Sequence, residues 1–214
     1  SMDHEEDDPG TTWNERARSR EPGKMSPRMA WRAIQTALPK DAIISSDIGN
    51  NCAIGNAYPS FEEGRKYLAP GLFGPCGYGF PAICGTKVGR PDVPVVGFAG
   101  DGAFGISMNE MVSCGRDDWP AITMVIFRNY QWGAEKRNTT LWFDDNFVGT
   151  ELDTDVSYAG IANACGLKGV QVSSMEELTD TLDAAVKAQM NDGVTTFIEV
   201  LLNQELGEPF RRDA

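Results

Sequence analysis

Residues 93–111 read VPVVGFAGDGAFGISMNEM, an apolar run that ends in a glycine-rich turn with one acidic residue. Val95–Ala99 predicts a buried strand, and the three glycines of residues 100–105 match the G-x-G-x-x-G pattern of dinucleotide-binding folds. Glycines at such a turn let an anionic phosphate approach the backbone. Asp101, however, lies between the first two glycines, where its carboxylate would face that phosphate. The stretch therefore predicts a phosphate site that must also accommodate a negative side chain.

This like charge argues against a dinucleotide. Two unit charges 4 Å apart repel by about 4 kcal/mol at an effective dielectric constant of 20. A dinucleotide site also expects an acidic residue about 20 positions further on, to hold the ribose, whereas the next apolar run ends in Arg128-Asn129. A divalent cation makes the contact attractive, and Mg²⁺ is commonly held by one or two protein carboxylates together with ligand phosphates. We therefore expect Asp101 to bind Mg²⁺ beside a diphosphate, with a helix beyond residue 105 directing N–H groups at the phosphates.

A second metal ligand is predicted at the end of the next strand. Twenty-six residues separate Gly102 from Asn129, enough for a helix, a turn and the strand Ile122–Phe127. Parallel strands joined by one crossover end at the same edge of a sheet, so the Asn129 amide oxygen is expected beside Asp101. Either residue alone is most often structural, as a tight turn or a loop cap. Together, at crossover spacing, they favour a metal–diphosphate site.

The rest of the chain alternates short apolar runs with helix-like segments. This pattern predicts an α/β fold with three α/β/α layers, doubly wound around a mostly parallel six-stranded sheet. The predicted strands are Ala42–Ser46, Tyr67–Ala69, Val95–Ala99, Ile122–Phe127, Gly169–Val172 and Thr196–Leu202, and the predicted helices cover 27–38, 76–89, 106–116, 157–165 and 174–190. Ligands bind at the carboxyl ends of such strands. The loops 46–56, 100–105 and 128–138 are therefore expected to converge on one site.

Composition excludes several other classes of function. A length of 214 residues fits one sizeable domain, and a net charge of −12 argues against nucleic acid or an anionic membrane surface as the main partner. No apolar run approaches the roughly 20 residues that a membrane span needs. The single histidine, His4, excludes a histidine-based triad or zinc site within this chain. Five cysteines without a C-x-x-C pair favour reduced thiols in a cytoplasm.

The first 24 residues differ in character from the rest. Residues 1–24 are polar and charged, and we interpret them as a linker, an arm or a tag remnant. Residues 25–214 are expected to form the diphosphate-binding domain.

The spacing G-D-G, 26 residues, Asn is the signature of thiamine diphosphate enzymes, and residues 25–214 resemble the C-terminal domain of the acetolactate synthase-like family. The resemblance implies that thiamine diphosphate and Mg²⁺ are the cofactors. It implies Asp101, Asn129 and the backbone carbonyl of Gln131 as metal ligands. The other residues that it implies for cofactor binding are Ile48, Gly49, Asn50, Asn51, Gly74, Cys76, Gly100, Gly102, Ala103, Trp132 and Gly133. Cys76 stands where many relatives have a larger apolar residue, often Met.

Two segments, RNYQWGAEKRN (128–138) and ELGEPFRRDA (205–214), resemble the sulfoacetaldehyde acetyltransferases of that family. The resemblance implies that sulfoacetaldehyde and phosphate are converted to acetyl phosphate and sulfite. Acetolactate synthases typically carry a second asparagine directly after the first, where this chain has Tyr130. A sulfonate and a phosphate both favour cationic side chains. The candidates in these segments are Lys136, Arg137, Arg211 and Arg212, with a solvated basic cluster as the alternative.

Enzymes of this family also need a glutamate from a separate pyrimidine-binding domain, which usually lies on a partner subunit. Nothing in residues 1–24 resembles that domain. We therefore expect this chain to be the diphosphate-binding third of a longer enzyme, inactive alone and part of a homodimer or homotetramer. Two alternatives remain open: a domain of an acetolactate synthase or 2-oxo-acid decarboxylase, and a non-catalytic module that docks the pyrimidine domain and binds no cofactor.

Overall fold

The computed structural model describes residues 24–61, 64 and 66–206, which form one parallel sheet with helices on both faces. The strands are β1 (Ile43–Ser46), β2 (Tyr67–Leu68), β3 (Val95–Gly100), β4 (Thr123–Arg128), β5 (Lys168–Val172) and β6 (Thr196–Leu201). Their order in the sheet is β2-β1-β3-β4-β6-β5, and every neighbouring pair is parallel. The predicted fold class is confirmed. The predicted linker at 1–24 lies outside the described residues, apart from Lys24.

The helices are α1 (Pro27–Ala37), α2 (Asn50–Gly55), α3 (Gly79–Gly89), α4 (Asp101–Ser107), α5 (Met111–Cys114), α6 (Gly133–Trp142), α7 (Tyr158–Ala164) and α8 (Met175–Asn191), with a short 3₁₀ turn at Met108–Glu110. Local sequence explains two of their starts. Ser26 caps α1 by accepting from the Met29 N–H, and Ser174 and Glu177 form a reciprocal capping box for α8. In the described part of the chain, every helix is too short or too polar to cross a bilayer.

Two apolar clusters, one on each face, hold the sheet between the helical layers. On one face Trp31 of α1 packs against Phe98 and Phe127, with ring centroids 4.8 Å and 5.2 Å apart. On the other face Phe80 contacts Phe104, 5.3 Å away, and Phe197. All six residues of β4 are buried because both faces of this central strand are covered. The packing therefore fixes the carboxyl ends of β3 and β4 in space.

One helix prediction and two loop predictions were wrong. The helix predicted at 106–116 instead begins at Asp101 and is interrupted after Ser107. The expectation that its N–H groups follow residue 105 was therefore also wrong. Helices α2 and α6 occupy segments that had been interpreted as loops. Glycine and asparagine have low helix propensity, so in these segments tertiary packing decides the conformation and sequence patterns do not reveal it.

Candidate functional site

The ends of β3 and β4 bring the two principal candidate residues together. Gly100 pairs with Phe127 across the strands, and Asp101 and Asn129 follow directly after their strands. Both side chains are buried, with 1% and 2% of their surface exposed. The one-crossover spacing thus places Asn129 beside Asp101, as the sequence predicts.

The Asn129 side-chain amide lies between Asp101 and Gln131. Its nitrogen donates to Asp101 Oδ1 and to the carbonyl oxygen of Gln131, both at 3.2 Å, and its oxygen accepts from Asn51 Nδ2 at 3.3 Å. Without a cation, these groups therefore form a hydrogen-bonded cluster. A half-turn of the amide would bring its oxygen to the position of the nitrogen, so that Asp101, Asn129 and Gln131 would each present an oxygen to the same point.

The two oxygens of Asp101 have different partners. Oδ2 accepts from the Tyr130 N–H at 2.7 Å and from Arg128 at 3.1 Å, while Oδ1 accepts from the Gly102 N–H at 3.0 Å and from the Asn129 amide. Tyr130 has a φ of 60°, a left-handed conformation that a bulky residue rarely adopts. This conformation points the backbone N–H of Tyr130 towards Asp101. Burial raises the pKa of Asp101 to about 6, against the Tyr130 N–H and Arg128, which lower it.

A cleft of about 450 Å³, including its open mouth, lies over these oxygens. Every predicted cofactor-binding residue except Gly74 lines it, together with Ala134 and Glu135. Gly74 is nearby, since a Cβ added there would lie 3.6 Å from the Ile48 side chain. The loop after β1, the turn after β3 and the segment after β4 therefore meet at one site. Whether each residue contacts a cofactor stays a prediction.

Comparison with known proteins decides the family. The profile of "Thiamine pyrophosphate enzyme, C-terminal TPP binding domain" matches residues 47–200, which span the cleft and both strand ends. The chain belongs to this thiamine pyrophosphate (thiamine diphosphate) enzyme family. The cofactor that the domain binds is therefore thiamine diphosphate.

Individual relatives agree with this assignment. The chain is 78% identical over all 214 residues to sulfoacetaldehyde acetyltransferase from Roseovarius nubinhibens, and spans 35% of that protein. It is 25% identical over 180 residues to acetolactate synthase from Mycobacterium avium, of which it spans 29%. Among solved structures, the thiamine diphosphate-dependent 4-hydroxybenzoylformate decarboxylase of Rhodococcus jostii superposes with a TM-score of 0.78 at 21% identity, over 87% of this chain and 34% of that one. This last likeness shows the fold alone.

A residue that no sequence pattern singled out connects two segments beside the cleft. Asp47 follows β1 as Asp101 follows β3, and its side chain is buried. It accepts from the N–H groups of Ile48 at 2.8 Å, Gly77 at 3.1 Å and Gly79 at 2.6 Å. Burial raises the pKa of Asp47, and these three bonds lower it. Asp47 thus ties the loop after β1 to the start of α3. Its place at a strand end was the signal available in the sequence.

Gly102 has a spatial requirement that Gly100 lacks. A Cβ at Gly102 would lie 2.8 Å from the Trp132 ring, whereas a Cβ at Gly100 would meet nothing within 4 Å. The two glycines of the G-D-G turn therefore differ. Gly102 lets the indole of Trp132 pack over the turn, and Gly100 leaves the cleft open.

The structure describes two of the four candidate substrate residues, Lys136 and Arg137, and neither is well placed to bind a substrate in the cleft. Lys136 forms an ion pair with Glu151 and lies 5.2 Å from the centre of the Phe147 ring. Arg137 is buried, and this burial lowers its pKa to about 10. Neither residue is among those that line the described cleft. Arg211 and Arg212 lie outside the described residues.

Proposed function

We propose that this chain is the thiamine diphosphate- and Mg²⁺-binding domain of a sulfoacetaldehyde acetyltransferase. The proposed reaction converts sulfoacetaldehyde and phosphate into acetyl phosphate and sulfite. Two observations support this substrate over the alternatives. The identity to a protein of that name is 78% along the whole chain, against 25% to an acetolactate synthase. In addition, Tyr130 follows Asn129 where acetolactate synthases typically have a second asparagine.

The arrangement of Asp101, Asn129 and the Gln131 carbonyl supports the assignment of Mg²⁺ as the bound ion. In an octahedral Mg²⁺ site with bonds of about 2.1 Å, adjacent oxygens lie about 3.0 Å apart. The end of the Asn129 amide that faces Asp101 lies 3.2 Å from both Asp101 Oδ1 and the Gln131 carbonyl oxygen, and a half-turn of the amide would place its oxygen at that position. The donors are one carboxylate, one amide and one backbone carbonyl, the hard oxygen ligands that Mg²⁺ prefers. The residues present therefore fit the ion once the Asn129 amide turns its oxygen towards the other two oxygens.

Within the proposed enzyme, the residues of this domain bind and orient. Thiamine diphosphate, when bound, supplies the carbanion-stabilising chemistry. Asp101 and Asn129 would hold the cation that neutralises the diphosphate. The proposal also assigns to the diphosphate the backbone N–H groups of Ala103 and of Gly102, which would turn from Asp101 Oδ1, its present acceptor at 3.0 Å. The loop Ile48–Asn51 closes the same cleft from the side of β1. A site held by buried side chains in this way binds its cofactor in one orientation.

The remaining partners are also proposals. The chain spans 35% of the relative from Roseovarius nubinhibens, and we propose that the missing length includes the pyrimidine-binding domain with its glutamate. That domain would come from a second subunit of a homodimer or homotetramer. All five cysteines are free thiols, which suits the cytoplasm.

The test uses the full-length enzyme that contains this chain, with thiamine diphosphate, Mg²⁺ and phosphate. We expect sulfoacetaldehyde to yield sulfite and acetyl phosphate in equal amounts, and pyruvate to yield little CO₂. Rapid CO₂ release from pyruvate without sulfite formation would instead favour the acetolactate synthase or decarboxylase alternative. If calorimetry of the full-length enzyme detects no uptake of thiamine diphosphate, the non-catalytic module is favoured. The 214-residue chain alone is expected to release no sulfite.

A further inference from the structure

Three charged side chains form a buried cluster behind the proposed metal site. Asp101, Arg128 and Glu199, here called the charge cluster, each have 1% of their side-chain surface exposed. Arg128 Nη1 donates to Asp101 Oδ2 at 3.1 Å, and Arg128 Nε lies 3.6 Å from Glu199 Oε1. The guanidinium therefore lies between two carboxylates, one of which belongs to the proposed metal ligand.

Arg128 is held in this position by several further contacts. Its Nη2 donates to the carbonyl oxygens of Asp153 and Val156, the latter at 3.1 Å. Its guanidinium carbon lies 4.2 Å from the centre of the Tyr130 ring and 5.2 Å from that of Tyr158. These contacts hold the charge of Arg128 beside Asp101 and therefore beside the proposed metal site.

Glu199 stands in the middle of β6, whose other residues are apolar apart from Thr196. Its Oε2 accepts from Ser157 Oγ at 2.8 Å and from the Ala159 N–H at 3.2 Å. Its Oε1 has no hydrogen bond within the described part of the chain, and Arg128 is the cation beside it. A buried carboxylate oxygen without a hydrogen bond is unfavourable. The position of this oxygen is explained if its charge compensates that of Arg128.

The charge balance has a direct consequence for cation binding. Asp101 and Arg128 together carry no net charge, so on their own they would attract a divalent cation weakly. Glu199 restores a net charge of −1 to the cluster. We propose that Glu199 is a positioning residue for the metal site: it neutralises Arg128, so that Arg128 anchors Asp101 without weakening the hold of Asp101 on the cation. This inference rests on the proposed function, in which Asp101 binds Mg²⁺.

The decisive comparison is between Glu199→Gln and Glu199→Asp in the full-length enzyme. Gln keeps the shape and removes the charge, whereas Asp keeps the charge and shortens the side chain. Residues that support metal ligands typically change metal affinity by about 10- to 100-fold when replaced. We expect Glu199→Gln to weaken Mg²⁺ binding within that range and Glu199→Asp to weaken it less. If packing were the role of Glu199, the order of the two variants would be reversed.

Two measurements check this order. Mn²⁺ binding is followed by electron paramagnetic resonance at saturating thiamine diphosphate, and the Mg²⁺ concentration for half-maximal activity is measured separately. For Glu199→Gln we expect both constants to rise, while kcat at saturating Mg²⁺ stays close to that of the wild type. Asp118→Asn is the matched control, since it removes one negative charge from an exposed ion pair with Arg116, and should change neither constant.

The outcomes separate the inference from the proposed function. If Asp101→Ala abolishes cation binding while Glu199→Gln binds Mn²⁺ and Mg²⁺ as the wild type does, only the role of Glu199 is refuted. Weaker binding in Glu199→Asp than in Glu199→Gln refutes it equally. If Asp101→Ala itself binds the cation normally, the proposed metal site fails, and the inference fails with it.

Discussion

Gly79, the first residue of α3, packs directly against the end of β1 and against Asp47, which follows that strand. A Cβ at this position would lie 2.9 Å from the carbonyl oxygen of Phe98 and 3.0 Å from the nitrogen of Asp47. These two atoms are hydrogen-bonded to each other at 2.8 Å, so neither can move without opening the sheet between β1 and β3. The Gly79 N–H also donates to Asp47 Oδ2 at 2.6 Å. Gly79→Ala therefore both crowds the backbone and disturbs the anchor of the loop after β1.

The expected magnitude follows from these contacts. Overpacking costs about 1–3 kcal/mol, and loss of a hydrogen bond to a charged acceptor costs about 1.5–3 kcal/mol. The gain in helix propensity is at most about 1 kcal/mol. We expect Gly79→Ala to lower the free energy of unfolding by about 2–4 kcal/mol.

Gly85 in the same helix is the matched control. It is exposed, and a Cβ there would meet no atom within 4 Å. Gly85→Ala should raise the free energy of unfolding by about 0.5–1 kcal/mol through helix propensity alone. Urea denaturation followed by tryptophan fluorescence measures both variants. A Gly79→Ala protein as stable as the wild type would refute the close approach of α3 to Asp47.

Three further predictions concern the cleft and its surroundings. Asp47→Asn, which cannot accept all three backbone N–H groups with one oxygen, should destabilise the fold by about 1–3 kcal/mol and weaken thiamine diphosphate binding in calorimetry; unchanged values would contradict its anchoring role. Burial raises the pKa of Cys52 to about 12, so its thiol stays protonated at pH 8, and mass spectrometry of the folded protein should find it unmodified by iodoacetamide. Gly102→Ala should push Trp132 into the cleft and weaken thiamine diphosphate binding more than Gly100→Ala does, and an equal loss in both variants would refute the spatial difference between these glycines.

Much of the fold could be predicted because central strands have a clear signature. The run Val95–Ala99 and the run Ile122–Phe127 lie within one residue of the observed β3 and β4, since strands buried on both faces read as continuous apolar runs. The parallel order then follows from the crossover rule, and with it the approach of Asp101 and Asn129. The sequence thus predicts the positions of residues that depend on chain topology.

The positions of residues that depend on side-chain packing could not be predicted in this way. Helix α6 begins at Gly133 and carries Lys136 and Arg137, and their burial could not be foreseen from a stretch that reads as a polar loop. Glu199 lies within one apolar strand and Arg128 ends another, but nothing in the sequence shows that they contact each other. Their roles depend on distances across the sheet, between elements that are far apart in sequence.

In the proposed site, a divalent cation joins the carboxylate of Asp101 to a diphosphate. The most direct test is calorimetric titration of thiamine diphosphate into the full-length enzyme, with and without Mg²⁺, for the wild type and Asp101→Ala. We predict strong, Mg²⁺-dependent uptake by the wild type and none by the variant. Equal uptake by both proteins would show that no cation held by Asp101 joins the protein to the diphosphate.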